Sequence, residues 1–247
     1  MGFYQDQIVP LLINMTMRRQ ELVAYRSRIV PGADGRVLEI GIGSGLNLPF
    51  YSRNVKSLIG LDPSPKLLSM VQENLRPYLP SVDLIEGSAE TIPLENKSVD
   101  TIVTTWTLCS IPDVSRALRE MHRVLSPAGR LLFVEHGRAP KANVRWWQDH
   151  LTPAWKWIGG GCHLNRAIEN LIEDAGFAFD RFETSYTHGP KPLTFICTAT
   201  AHVRFTSESG HVQCTRLCPL WANSGLMHRS KKIREGRARD QFRVLVC

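Results

Sequence analysis

Glu39, Gly41, Gly43 and Gly45 occupy alternate positions of the run Val37-Leu38-Glu39-Ile40-Gly41-Ile42-Gly43-Ser44-Gly45. An apolar run that breaks into glycines is how a buried parallel strand ends in a tight turn where a ligand meets the backbone. The glycines permit positive φ and close approach, and the helix start that follows offers unpaired N–H groups. Asp62 closes a second apolar run, Ser57-Leu58-Ile59-Gly60-Leu61. It falls about 20 residues after the glycines, where a carboxylate can grip ribose hydroxyls. The two signals together specify a nucleoside ligand. A dinucleotide fingerprint G-x-G-x-x-G needs its third glycine where Leu46 stands, and Glu39, two residues before the first glycine, suits an ammonium better than a pyrophosphate.

The pattern E-x-G-x-G-x-G followed by Leu61-Asp62 resembles the class I S-adenosylmethionine-dependent methyltransferases. The run R-V-L-S-P-A-G-R-L-L-F-V-E-H, ending at His136, resembles their quinone-biosynthesis-like branch and carries the likeness over about residues 36–136. The order E-H, W-W-Q, L-x-P-A-W and G-C-x-L-x-R further on is similar to eukaryotic methyltransferase-like proteins that methylate small thiols at endoplasmic reticulum and lipid-droplet membranes. The resemblance implies an α/β, Rossmann-like sheet of seven mostly parallel strands, the last antiparallel, with helices on both faces. It also implies S-adenosylmethionine as cofactor and a small apolar acceptor: a thiol, a quinone-type ring or a lipid-like molecule. Glu39, Gly41, Gly43, Gly45, Asp62 and Thr105 are expected around the cofactor. The loop Ser88-Ala89-Glu90 is expected at the adenine, although Ser88 stands where the family often has an acid.

Methyl transfer from a sulfonium is an in-line displacement, so the protein chiefly aligns the reactants and excludes water. A thiol of pKa about 8.5 supplies its own thiolate, whereas a phenol near 10 gains more from a base. His136, at the carboxyl end of the fifth strand, is the candidate base. Trp106 and Cys109 are expected as walls of the acceptor site. So are Trp146, Trp147 and His150 in the segment 137–163, whose four tryptophans followed by Gly159-Gly160-Gly161 read as an apolar lid. An alternative is a non-catalytic protein that binds the cofactor, or binds RNA through its tail.

The elements that must position these groups follow from periodicity. Residues 3–30 read as one helix, with Leu11, Leu12, Met15, Leu22 and Val23 on a face and Phe3 and Tyr4 able to shield the cofactor. Leu46 to Tyr51 reads as a short helix, and Ser64-Pro65 opens another to about Leu75. Strands are expected at 82–87, 98–106 and 130–136, with a helix presenting Ala117, Leu118, Met121, Val124 and Leu125 before the last of these. Asn165 is placed to cap a helix carrying Ile168, Leu171, Ile172 and Ala175. A closing hairpin pairs 177–186 with 193–200. This divides the chain into an N-terminal helical cap at 1–35, a methyltransferase domain at 36–200 and a tail at 201–247 with no packed structure.

With 247 residues, 43% of them hydrophobic, the chain can bury one sizeable core. Its net charge of +7 sits almost wholly in the tail, where nine basic residues face three acids, while residues 1–200 hold 21 and 20. A near-neutral body argues against a phosphate-tracking groove, so no nucleic-acid partner is expected. The apolar run Ile8–Ile13 contains Pro10 and is too short for a signal peptide or a membrane span. A cytoplasmic protein is therefore expected, with peripheral membrane contact left open. The six cysteines lack framework spacing and read as reduced thiols. His211, Cys214 and Cys218 have no fourth ligand at close spacing, so no metal is expected.

Overall fold

The computed structural model describes residues 7–71 and 81–204. Phe3, Tyr4, Leu75 and the tail with His211, Cys214 and Cys218 lie outside the described residues. The strands are β1 (Gly35–Ile40), β2 (Val55–Asp62), β3 (Val82–Glu86), β4 (Val99–Thr105), β5 (Leu125–His136), β6 (Phe177–Tyr186) and β7 (Phe195–Val203). They form one sheet in the order β3-β2-β1-β4-β5-β7-β6. The first five run parallel, and β7 lies antiparallel to both β5 and β6.

The centre of the sheet follows from its residues. Val37 to Ile40 of β1 are buried on both faces, as a strand between two parallel neighbours with helices on either side requires. One face packs Leu38, Ile40, Ile102, Leu131 and Phe133 against Ala117, Leu118, Met121 and Val124 of α4 (Val114–Val124). Asp113 starts that helix, its side chain accepting from the Arg116 N–H at 2.9 Å. The other face packs Val37, Leu58 and Val103 against Val30, Leu48, Tyr51 and Val71.

Several boundaries differ from the periodic reading. The expected helix at 3–30 is two helices, α1 (Val9–Met17) and α2 (Gln20–Ile29), broken where Arg19 takes an extended conformation. The break lets the buried Arg26 reach back and donate to the Met17 carbonyl at 2.9 Å, a cation at a helix C-terminus. Residues 48–50 form only a 3-10 turn, and α3 is Pro65–Leu68. Leu125 begins β5 instead of ending α4, and Leu125 and Gly129 pack against each other there. Asn165 does not cap α6 (Ile168–Asp174); its amide donates to Asp149 at 2.8 Å. The domain continues past Thr200, because Ala201 pairs with both Leu131 and Phe179, Val203 pairs with Phe177, and the Arg204 N–H donates to the Gly176 carbonyl at 2.8 Å. No helix of the described residues is long and apolar enough to cross a membrane.

Candidate functional site

The carboxyl ends of β1 to β5 converge on one cavity of about 1340 Å³, lined by Glu39, Asp62, Glu86, Thr105 and His136 among others. The sheet order reverses between β1 and β4, and open parallel sheets bind ligands in the crevice at such a point. The volume exceeds the roughly 300–1,000 Å³ of a site for one small molecule, leaving room for a nucleoside and a second reactant.

At the nucleoside end, Asp62 is buried with both carboxylate oxygens engaged. Oδ2 accepts from the Gly43 N–H at 2.9 Å and Oδ1 from the Ser64 N–H at 2.8 Å, so this acid ties the glycine loop to the turn after β2. Burial raises its pKa, against the pull of these two N–H groups. Gly43 has φ +57°, and a Cβ there would meet nothing nearer than the Gly41 carbonyl at 3.9 Å; the backbone is bare toward the cavity. Gly45 does not line the cavity. Its φ of +79° and a Cβ position 2.7 Å from Leu48 make it a packing glycine under the loop. Ser88 and Ala89 line the cavity, whereas Glu90 turns away and accepts the Asp113 N–H at 2.6 Å.

Glu39 is fully buried. Oε1 accepts from Asn47 Nδ2 at 2.8 Å and Oε2 from the Tyr51 hydroxyl at 2.7 Å. Burial pushes its pKa up to about 7, opposed by the Tyr51 and Asn47 hydrogen bonds and by the Arg26 charge. Asn47 Nδ2 also donates to Thr105 Oγ1 at 3.0 Å, while Asn47 Oδ1 is buried without a hydrogen-bond partner. Arg26 lines the same cavity with its guanidinium carbon 4.9 Å from the Trp106 ring centre; burial lowers its pKa to about 10, so it stays cationic.

The other end of the cavity is apolar. Trp106 leaves β4 with φ +54°, and the turn behind it is held by Glu135. This buried carboxylate accepts from Thr104 Oγ1 and from the N–H groups of Thr107, Leu108 and Cys109 at 2.8–3.2 Å. Cys109 and His136 line this wall. Cys162, Trp155 and Ile158 join them.

Trp146, Trp147 and His150 do not. They lie on α5 (Ala142–Ile158), and Trp146 and Trp147 are each 53% exposed. At about 100° per residue, Val144, Gln148, Thr152 and Trp155 share one face of this helix. The first three are buried, Gln148 bonding to Gly137, Ala139 and Pro192, so Trp146 and His150 point outward, where they stack on each other at 3.9 Å. The expected lid is thus the end of α5 and the glycine turn behind it. Gly160 there takes φ +60° and lies against Ile13 of α1, which also lines the cavity. Asn47, Tyr51, Arg26, Ile158 and Cys162 escaped the sequence reading as site residues, whereas Trp155 was among the four tryptophans read as the lid. For Trp155 and Ile158 the signal was present, in the helical spacing from Val144.

Comparison with known proteins agrees with this geometry. A family profile described as a methyltransferase domain matches residues 38–133. The chain is 36% identical over 164 residues to thiol S-methyltransferase TMT1B of Rattus norvegicus, covering 65% of each chain. It is 32% identical over 188 residues to the Homo sapiens TMT1B, covering 74% of this chain and 75% of the relative. A solved S-adenosylmethionine-dependent methyltransferase from Thermotoga maritima, described as a possible histamine N-methyltransferase, superposes with a TM-score of 0.58 at 21% identity, over 82% of this chain and all of that one; at this identity the likeness is one of fold.

Proposed function

Because the chain belongs to the class I S-adenosylmethionine-dependent methyltransferases, we propose that it methylates a small apolar acceptor and that the acceptor atom is a thiol sulfur. S-adenosylmethionine is the methyl donor and supplies the electrophilic methyl group. The residues present fit it. The bare backbone at Gly43 admits a close ligand, Asp62 retains lone pairs for hydroxyl donors beyond its two backbone bonds, and the orphaned Asn47 Oδ1 beside Glu39 suits an ammonium.

In this reading Asp62 orients the ribose, Glu39 with Asn47 holds the amino group, and Thr105, Gly41 and Gly43 shape the floor between them. Ser88 and Ala89 border the adenine. Trp106, Cys109 and Trp155 exclude water from the acceptor, and His136 supplies an imidazole to that wall. The observation that carries the proposal is the continuity of one cavity from the Asp62 carboxylate to this apolar wall. Sulfur is favoured over oxygen and nitrogen because the most similar relatives named above are thiol S-methyltransferases.

The test is to incubate the purified chain with methyl-labelled donor and, separately, small apolar thiols, phenols, quinones and phospholipids. Labelled thioether is the expected product. Label transferred to a phenol or a lipid headgroup, with none in any thiol, would overturn the choice of sulfur.

A further inference from the structure

Three ligand atoms that are far apart in sequence meet at the apolar end of the cavity. Cys109 Sγ, Cys162 Sγ and a ring nitrogen of His136 all lie within 4.8 Å of one another, and Cys162 Sγ is 3.4 Å from His136 Nδ1. A tetrahedral zinc ion, with Zn–S about 2.3 Å and Zn–N about 2.0 Å, fixes S···N edges of about 3.5 Å and S···S edges of about 3.8 Å. The trio therefore stands close to the spacing the ion requires.

Each ligand is held from a different element. Cys109 sits in the turn after β4, its N–H donating to Glu135 at 3.2 Å; His136 ends β5; Cys162 follows the glycine turn after α5. The two cysteine turns are laced together, since the His163 N–H donates to the Cys109 carbonyl at 2.8 Å. Leu164, Trp155 and Leu193 pack around the two buried thiols, a dry surrounding in which metal–thiolate attraction is weakly screened. Arg166, whose guanidinium donates to the Leu108 carbonyl, brings positive charge to the neighbourhood of both sulfurs. The Ser110 hydroxyl lies 3.6 Å from Cys109 Sγ.

We infer that Cys109, His136 and Cys162 form a three-ligand zinc site whose fourth position opens to the cavity and takes the acceptor sulfur. Structural zinc sites are closed by four protein ligands, whereas reactive ones keep three and leave one position open. Among the described residues no further His, Cys, Asp or Glu joins this group. Metal binding releases one proton from each cysteine and leaves a neutral centre. An acceptor thiol then displaces the water ligand, forms a metal–sulfur bond and gives its proton to solvent; no oxidation or reduction is involved. His136 is here a metal ligand and no longer a general base. The metal site stands apart from the proposed function, while the role of its open position rests on the thiol reading.

The experiment is a zinc titration of the reduced full-length chain against a chromophoric chelator, repeated with cobalt(II) and followed by addition of benzyl thiol or, as control, benzyl alcohol. One zinc per chain is expected, retained in Cys214→Ser/Cys218→Ser and weakened by more than roughly 100-fold in Cys109→Ser, Cys162→Ser and His136→Ala, as befits loss of a direct ligand. Cobalt is expected to give a thiolate charge-transfer band that shifts with the thiol and not with the alcohol. Calorimetric binding of S-adenosylmethionine to each variant reports whether the fold survives. Zinc that fails to bind a chain with both thiols free and cofactor binding intact, zinc lost on Cys214→Ser/Cys218→Ser, or a Cys109–Cys162 disulfide in the protein as isolated would each overturn the site. A cobalt band indifferent to benzyl thiol would overturn the open position alone. Absence of methyl label in every thiol, with metal binding intact, would instead count against the proposed function.

Discussion

The hydroxyl of Tyr51 donates to Oε2 of Glu39 at 2.7 Å, and both side chains are buried. That bond and the one from Asn47 hold a carboxylate whose burial raises its pKa to about 7 from an ordinary value near 4.5. A carboxyl whose folded pKa is raised binds its proton more tightly in the folded state. Its contribution to stability is present below about pH 4.5 and lost as the pH rises to about 7, on the order of 3 kcal/mol across that window. Glu39→Gln removes this dependence. The variant and the parent chain should therefore melt alike near pH 4.5, and the variant should melt higher at pH 8, as thermal unfolding at the two pH values will show.

The same residue couples proton and cofactor binding. An ammonium beside Glu39 favours the ionised carboxylate, so S-adenosylmethionine should bind more tightly as pH rises toward 7 and should expel a fraction of a proton at pH 6. Calorimetry in two buffers of different ionisation enthalpy measures that proton. Glu39→Gln should bind roughly tenfold or more weakly, the scale of one lost charge-assisted bond, with no proton release.

Asp62→Ala should weaken S-adenosylmethionine binding by roughly 1.5–3 kcal/mol, about 10- to 100-fold. The structure adds a second consequence. Asp62 also accepts the Gly43 and Ser64 N–H groups, so part of the loss arises from a loosened glycine loop. Amide exchange at Gly43 and Ser64 should accelerate in the variant. Unchanged affinity in a folded Asp62→Ala protein would remove this residue from the site.

How much of this was legible in the sequence depends on the kind of signal. The glycine loop and Asp62 were readable because strand, turn and acid are local patterns; the strands followed from apolar runs bounded by turn residues, and their assembly into one seven-stranded sheet from the family resemblance. Trp146 and Trp147 misled because aromatic content was weighed without helical phase; the buried Gln148 that follows them, a polar residue satisfied by three backbone partners, hid the inward face of α5. Asn47 and Arg26 were unreadable for a different reason. Each is polar in a segment of unremarkable composition, and only the fold carries them to the Glu39 carboxylate and the Trp106 ring. Cys109, His136 and Cys162 lie on three elements joined by topology alone.

Trp155 is expected to govern the acceptor where Trp147 does not. Trp155→Ala should raise the acceptor KM by roughly tenfold, the scale of a partly buried aromatic contact, with S-adenosylmethionine affinity unchanged. Trp147→Ala should leave both values within about twofold, since its ring faces solvent. Steady-state kinetics of the two variants against one thiol decides between them, and a raised KM in Trp147→Ala alone would return the lid to the outer face of α5.

A chain ending at Thr200 should be markedly less stable than one ending at Phe205, because the last turns of β7 complete the sheet. Ala201 and His202 pair with Leu131 and Arg130 of β5, residues 201–203 pair with Phe177 to Phe179 of β6, and Ala201 and Val203 are buried. Losing those two side chains from the core costs roughly 2–4 kcal/mol in transferred apolar surface. The Arg204 N–H bond to the Gly176 carbonyl, which pins the end of β7 to the turn before β6, is lost as well. In a domain of this size that is a fall in melting temperature of roughly 5–15 °C. A chain ending at Phe205 keeps every one of these contacts and should melt within about 2 °C of the full-length protein. Calorimetric scans of the three chains test this, and equal melting temperatures for the 200 and 205 ends would show that β7 closes the sheet without its last three residues.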